Sequence, residues 1–162
     1  MKNKNLSFMT QAAMIAAIYV VLTYIFAPFS FGEVQVRISE ALTILPTFTP
    51  AAIPGLFVGC LIGNILGGAI LPDIVFGSIA TLIGAFFTWK LREQKPVTAT
   101  LPPIISNIVI VPFVLRYGYG VTLPIPFMML TVGIGEVISC TVLGLIVYGA
   151  LKKYQHTLFR AV

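Results

Sequence analysis

Long apolar segments with almost no charge are the feature that most restricts what this chain can fold into. Charged residues make up 9% of the 162 residues and hydrophobic residues 58%, whereas a soluble domain averages about 25% charged residues. The mean hydropathy is +1.01. Apolar segments of about 20 residues cross a bilayer as helices. The sequence therefore predicts an all-α integral membrane protein in the cell membrane, embedded in the lipid bilayer.

Six apolar segments are separated by turns rich in proline, glycine or charge. The second segment is short for a full span, and prolines predict kinks or a break in the fifth. No linker, charge block or repeat divides the chain, so we expect a single bundle of six transmembrane helices over residues 1–162. The predicted helices are Phe8–Ala27, Val34–Phe48, Ile53–Leu71, Ile74–Trp89, Val97–Leu115 and Pro126–Leu151.

The first segment has the charged start of a signal peptide but not its length. A signal peptide has an apolar region of about 7–15 residues, followed by a small-residue cleavage site. This segment is longer and ends in Ala27-Pro-Phe-Ser-Phe, which is a poor cleavage site. We therefore expect the first helix to be retained.

Small residues recur every four positions on two of the predicted helices. This spacing lets helix backbones approach closely, which matters in lipid because the hydrophobic effect does not drive helices together there. On the first helix it predicts a face for docking a partner protein, although alanine is also simply common. On the third helix it predicts a groove for a neighbouring helix. The residues are Ala12, Ala13, Ala16 and Ala17 on the first helix, and Gly55, Gly59, Gly63 and Gly67 on the third.

The basic residues predict the orientation in the membrane. Six helices put both termini on one side, and eight of the ten lysines and arginines fall on that side. Cytoplasmic loops carry an excess of lysine and arginine, so both termini are expected in the cytoplasm. Arg37 and Arg116 fall on the outer side. The basic residues are thus explained as topology signals, and no nucleic acid partner is expected.

The densest group of outer charges lies between residues 33 and 47. Glu33 and Arg37 are four residues apart, and Arg37 and Glu40 are three apart, which makes them neighbours on one face of a helix. Thr43 and Thr47 continue this stripe. We interpret the stretch as one wall of a small-molecule site. The alternative is an interfacial ladder of ion pairs that contributes only about a few tenths of a kcal/mol.

Glu136 is predicted near the centre of the sixth helix, where a carboxylate without a partner or hydration costs several kcal/mol. It is either a ligand-binding group in a cavity or a structural partner of Arg37, Arg116 or Asn107. We favour ligand contact, because ionisable residues inside membranes are functional by default. Asn64 and Asn107 have the same two readings, and helix-packing bonds of this kind average about 0.6 kcal/mol.

Four acids fall on or below the outer side against two arginines, so the outer cavity is expected to be acidic. Such a cavity suits a cation or a ligand rich in hydrogen-bond donors. Tyr117 is either a ring that stacks on a flat ligand or an interfacial aromatic residue. The candidate substrate-binding residues are Glu136, Glu40, Arg37, Asn107, Asn64, Glu33, Asp73, Arg116 and Tyr117.

The motifs of known catalytic sites are missing from the sequence. It contains no phosphate-binding loop, no G-x-S-x-G or H-E-x-x-H motif and no Ser/His/Asp set. Cys60 and Cys140 lie in apolar segments and are interpreted as packing residues. No catalytic residue, metal site or cofactor is predicted, and the protein is not expected to be an enzyme. The chain also lacks the two inverted halves of many secondary transporters, so uphill transport would need energy from partners.

The stretch Val36-Arg37-Ile38-Ser39-Glu40-Ala41-Leu42, with Leu45-Pro46 downstream and Ala12/Ala16 on the first helix, resembles the QueT family. These are substrate-binding (S) components of energy-coupling-factor (ECF) transporters. The resemblance covers nearly the whole chain in length, helix organisation and termini. It implies high-affinity binding of a micronutrient from outside, docking on a transmembrane coupling protein with two ATPase subunits, and toppling in the membrane. The implied substrate is queuine or a 7-deazaguanine such as preQ0 or preQ1.

The residues suit this implied substrate. A deazaguanine presents an N1–H and an exocyclic amine side by side, and one carboxylate accepts both. Glu136 or Glu40 can form this fork, Asn107 can meet the O6 edge, and a second acid suits an amine on the ligand. The alternatives are an S component for another flat vitamin, an intramembrane enzyme using Glu40 and Glu136 as an acid/base pair, and an assembly protein that only packs helices.

The predicted orientation can be tested with single cysteines. Tyr119→Cys should react with a membrane-impermeant thiol reagent in intact cells, whereas Gln94→Cys should not, because the positive-inside bias puts position 94 in the cytoplasm. Labelling at position 94 but not at position 119 would reverse the orientation.

Overall fold

The computed structural model describes residues 2–30 and 36–159, and every regular segment in these ranges is helical. Four helical stretches are long and apolar enough to cross a membrane, namely Lys4–Ile25, Leu71–Lys90, Pro96–Gly118 and Ile125–Lys152, and Ala52–Leu66 is a shorter apolar helix. The predicted all-α membrane class is therefore confirmed, while the count of six spans stays a prediction. The α-helices are α1 Lys2–Ile25, α2 Ala27–Ser30, α3 Ala52–Leu66, α4 Leu71–Lys90, α5 Pro96–Ala99, α6 Leu101–Phe113, α7 Ile125–Glu136, α8 Gly144–Lys152 and α9 Gln155–Leu158.

The glycine groove predicted on the third helix is confirmed, and α1 lies in it. A Cβ atom added at Gly55 would lie 2.7 Å from the Ala12 carbonyl oxygen, and one at Gly59 would lie 2.8 Å from Tyr19 Cβ. At Gly63 the nearest atom would be Thr23 Cβ, at 3.2 Å. Only glycine leaves room for this approach, so the spacing on α3 sets how closely α1 packs.

This packing separates the four alanines of α1 into two faces. Ala16 is buried and Ala12 is partly buried, and backbone atoms of both contact the glycine groove. Ala13 and Ala17 are exposed. The four alanines therefore do not form one docking face, because residues four apart share a face while adjacent residues point about 100° apart. Of the four alanines, Ala13 and Ala17 are the outward pair, which does not pack against α3.

The predicted second helix differs from the structure in type and in start. Residues Ile38–Thr47 form a 3₁₀ helix, and Arg37 before it is extended (φ −93°, ψ 98°). A 3₁₀ helix has three residues per turn, so Thr43 lies directly over Glu40 and donates to its carbonyl oxygen at 2.6 Å. Thr47 instead donates to the Ile44 carbonyl at 2.7 Å. The α-helical stripe from Arg37 through Thr47 is therefore wrong.

The 3₁₀ helix runs through the interior of the bundle. Residues 39–46 are all buried, and the segment packs against α1, α3, α4 and α8. A narrow 3₁₀ helix of this length is uncommon, and here it brings a carboxylate from the second segment to the centre of the fold.

Irregular backbone also interrupts the last two spans. The predicted break in the fifth segment is confirmed, since α5 ends before α6 begins at Leu101 with prolines in its first turn. A π-helical segment, Val137–Leu143, follows directly after Glu136 in the last span. A π-helical turn inside an α-helix often marks a functional position.

The contact between α1 and α3 should depend on Gly59. Gly59→Ala should destabilise the folded protein by about 1–3 kcal/mol, because the added methyl group overlaps Tyr19 and forces two backbones apart. Thermal unfolding in detergent measures the effect.

Gly149→Ala on α8 is the matched control, since a Cβ atom there meets nothing within 4 Å. Alanine favours the helix over glycine by about 1 kcal/mol, so this variant should be as stable as the wild type or more so. Equal stability of the two variants would contradict the close-packing argument.

Candidate functional site

Two carboxylates meet in the interior of the bundle. Glu40 from the 3₁₀ helix is 0% exposed, and Glu136 from the end of α7 is 2% exposed. One oxygen of each carboxylate and the Cys140 sulfur lie within 4.8 Å of one another. Acidic groups inside a membrane protein are expensive and mark binding or transport sites. We call Glu40, Glu136 and Cys140 the acidic cluster.

One oxygen of Glu40 is bonded within the protein and the other is not. The Tyr19 hydroxyl, fully buried on α1, donates to Glu40 Oε1. Glu40 Oε2 is buried and has no hydrogen-bond partner among the residues that the structure describes. A buried acceptor without a donor costs about 1–3 kcal/mol. Glu40 thus keeps a strong acceptor available in the interior.

Glu136 is held by groups from its own helix and from α6. The Cys140 thiol donates to Glu136 Oε2 at 3.2 Å, and Thr43 donates to the Cys140 sulfur at 3.5 Å. The Asn107 side chain lies close enough to the Glu136 carboxylate to interact with it. The expected contact between Glu136 and Asn107 is therefore present. Arg116 is not a partner of Glu136, because it is exposed and donates to the Val121 carbonyl at 3.1 Å.

Arg37 lies beside the acidic cluster and is 4% exposed. Its Nη2 donates to Asn64 Oδ1. The Asn64 amide nitrogen donates in turn to the Asp73 carbonyl oxygen at 3.3 Å. The Asn64 side chain therefore bonds to other protein groups and orients Arg37. This agrees with the interpretation of Asn64 as a packing residue.

Asp73 connects the start of α4 to the loop before α7. Its carboxylate accepts a hydrogen bond of 2.9 Å from the Tyr119 hydroxyl, which also accepts from the Ile70 backbone N–H at 3.4 Å. Burial, together with the neighbouring Asp73 carboxylate, raises the pKa of Tyr119 to about 12, so the hydroxyl stays a donor. The N-cap of α4 is Ile70, and Asp73 lies in the first turn, where the helix dipole favours an acid.

The structure thus brings most of the predicted site residues into the interior. The buried ones are Glu40, Glu136, Arg37, Asn64, Asn107 and Asp73. Tyr117 is 78% exposed and its ring stacks on Phe113, so it lies on the surface with Arg116. Glu33 lies outside the described residues.

Sequence reasoning missed two members of the site. Tyr19 was not singled out, although a hydroxyl in the middle of an apolar helix was a signal. Cys140 was interpreted as packing alone, yet it lies four residues after Glu136 and bonds to it.

The acidic cluster is also the set of described residues with metal-binding geometry. Carboxylate oxygens and a thiolate are ligands that Zn²⁺ accepts. Here, however, the thiol is a hydrogen-bond donor to Glu136, and Tyr19 donates to Glu40. The bonding of these groups favours a ligand with N–H donors over a metal ion.

A buried acidic cluster inside a bundle of apolar helices defines a polytopic membrane protein with an internal polar site. The chain belongs to the QueT transporter family, whose profile matches residues 9–153. The resemblance noted in the sequence is therefore confirmed. Because the family consists of transporters, the protein is not an enzyme, and its place is in a membrane.

The chain is also similar to one curated protein, the "Queuosine precursor transporter QueT" of Lactococcus lactis subsp. cremoris (strain MG1363). The two are 33% identical over 84 residues. The match covers 51% of this chain and 48% of the relative, so the chain spans about half the length of the curated relative it matches. No solved structure matches this chain.

Proposed function

We propose that this protein is the membrane-embedded substrate-binding subunit of an ECF-type importer and that it takes up a queuosine precursor, either queuine or a 7-deazaguanine. The observation that carries the proposal is the acidic cluster at the centre of the bundle. The family membership and the name of the Lactococcus relative support transport of this class of substrate.

The polar groups of Asn107 on α6 and Glu136 on α7 complement the hydrogen-bonding edge of a deazaguanine ring. That edge presents an O6 acceptor, an N1–H donor and an amino donor in sequence. Asn107 offers an amide N–H beside the Glu136 carboxylate, which offers two acceptor oxygens. In the proposed complex Asn107 donates to O6 and Glu136 accepts from N1–H and the amine. A carboxylate that accepts two donors side by side forms a strong, directional pair.

Coupling to ATP hydrolysis is assigned to partners. The chain has no phosphate-binding loop, so the proposed transporter includes a transmembrane coupling protein and two ATPase subunits. The outward pair Ala13 and Ala17 on α1 offers a flat surface for a partner helix. We place both termini in the cytoplasm, in agreement with the positive-inside rule, and count six spans, with the 3₁₀ helix as the second.

The identity of the substrate can be read directly from purified protein. Mass spectrometry of small molecules released on denaturation should show a deazaguanine at about one per chain. A different flat vitamin would keep the binding subunit but replace the substrate. Release of no small molecule, together with no calorimetric binding of any deazaguanine, would contradict the proposed function.

The role of the carboxylates can be tested with Glu136→Gln. The substitution keeps the size of the side chain but replaces one acceptor oxygen with an amide NH₂ group, which faces the donors of the ligand. A charge-assisted hydrogen bond contributes about 1.5–3 kcal/mol, so affinity for a deazaguanine should fall by at least about tenfold. Calorimetric titration of well-folded protein measures the loss.

Two further variants complete this test. Glu93→Gln is the matched control, because Glu93 is exposed and paired with Arg92, and it should bind like the wild type. Glu40→Gln tests the competing fork, and a larger loss there for a neutral deazaguanine would exchange the two roles. Folding must be checked in each variant, since removing a buried charge can destabilise its neighbours. Unchanged affinity in both Glu40→Gln and Glu136→Gln would refute the carboxylate fork.

Tryptophan substitutions can distinguish the proposed docking face of α1 from the face that packs inside the protein. Ala17→Trp should abolish uptake in cells that supply the coupling protein and the ATPases, yet leave ligand affinity nearly unchanged, because bulk on a small-residue face holds helices apart. Ala16→Trp should also lower stability, since Ala16 contacts Gly59. Phe87→Trp, at an exposed position on α4, should have neither effect. Normal uptake with Ala17→Trp would exclude this face.

A further inference from the structure

The buried charges of the site are not balanced. Among the described residues, Arg37 is the buried base, whereas Glu40, Asp73 and Glu136 are buried acids. Residues 31–35, outside the described ranges, contain Glu33 and no base. Arg116, the other arginine predicted on the outer side, is exposed. Among the residues that the structure describes, no second lysine or arginine is therefore buried near Arg37 to neutralise another of these acids.

The groups that contact the two carboxylates do not supply positive charge. Tyr19 and Cys140 are neutral donors, and Asn107 is a neutral amide. Two carboxylates within 4.8 Å repel each other strongly where water is excluded. A positive charge between them would stabilise both, and intramembrane charges are usually compensated in this way.

We propose that Glu40 is the counter-ion for an ammonium group on the ligand, so that the site selects a cationic 7-deazaguanine over neutral ones. This inference rests on the proposed function and deepens it. Glu136 and Asn107 bind the edge of the ring, and Glu40 Oε2 accepts the ammonium N–H. This oxygen is buried and has no hydrogen-bond partner in the part of the chain that the structure describes. The ligand then carries the positive charge that the protein lacks.

The experiment compares two ligands that share the ring and differ in charge. One is 7-aminomethyl-7-deazaguanine, whose amine is protonated at neutral pH, and the other is the neutral 7-cyano-7-deazaguanine. Calorimetric titration at pH 7 in the presence of a metal chelator should show the amine binding at least about tenfold more tightly, as expected for a charge-assisted hydrogen bond.

Variants of Glu40 locate the source of the preference. In Glu40→Gln the affinity for the amine should fall by at least about tenfold while that for the nitrile changes little, so that the preference disappears. Glu40→Asp keeps the charge and should keep a preference for the amine. Glu93→Gln, which removes an exposed acid of the same type, should leave both affinities unchanged.

The outcomes separate this inference from the proposed function. Equal affinity of the wild type for both ligands would overturn the cation inference and leave the proposed function standing. A preference that survives in Glu40→Gln would remove Glu40 from the role, and binding that the chelator abolishes would assign the neutralising positive charge to a metal ion instead of the ligand. Failure of both ligands to bind would overturn the proposed function itself. If Glu40→Gln does not fold, the inference is still tested by the ratio of the wild-type affinities for the two ligands and by the preference of Glu40→Asp.

Discussion

The burial of two carboxylates against each other, with Arg37 as the buried base beside them among the described residues, is the constraint on which the rest of the structure depends. Neither Glu40 nor Glu136 reaches solvent, and charges in such surroundings are tolerated only when hydrogen bonds and opposite charge surround them. The fold supplies hydrogen bonds from different elements, since Tyr19 on α1 donates to Glu40 and Cys140 on the π segment donates to Glu136, and α6 brings Asn107 close to Glu136. The missing positive charge is the part that a ligand can provide.

Close backbone packing and irregular backbone together build this site. Without the glycines of α3, α1 would lie farther away, because a Cβ atom at Gly59 would overlap Tyr19. Tyr19 could then no longer reach Glu40. The 3₁₀ helix carries Glu40 inward, and the π segment after Glu136 keeps Ser139 and Cys140 buried on the side of the cluster. Each irregular segment departs from regular α-helical hydrogen bonding at a position that carries a side chain of the acidic cluster.

The first helix joins the two halves of the proposed function. Its inner face fits the glycine groove and contributes Tyr19 to the acidic cluster, while its outer face carries Ala13 and Ala17. A partner that docks on the outer face would therefore bind the same rigid element that contacts the site. This arrangement offers a direct mechanical route between substrate binding and a coupling protein.

The sequence by itself determined the membrane class, the positions of the apolar segments and the glycine groove, and it singled out Glu40 and Glu136 as candidates for the site, because hydropathy, residue spacing and the cost of buried charge are local properties. It did not determine which faces meet. The α-helical stripe failed because the segment is a 3₁₀ helix, whose period of three residues moves Thr47 away from Glu40. Arg116 and Tyr117 were expected at the site and lie on the surface, while Tyr19 of α1 was not expected there and bonds to Glu40. Only the tertiary structure decided these contacts, since they join residues far apart in the chain whose approach depends on packing.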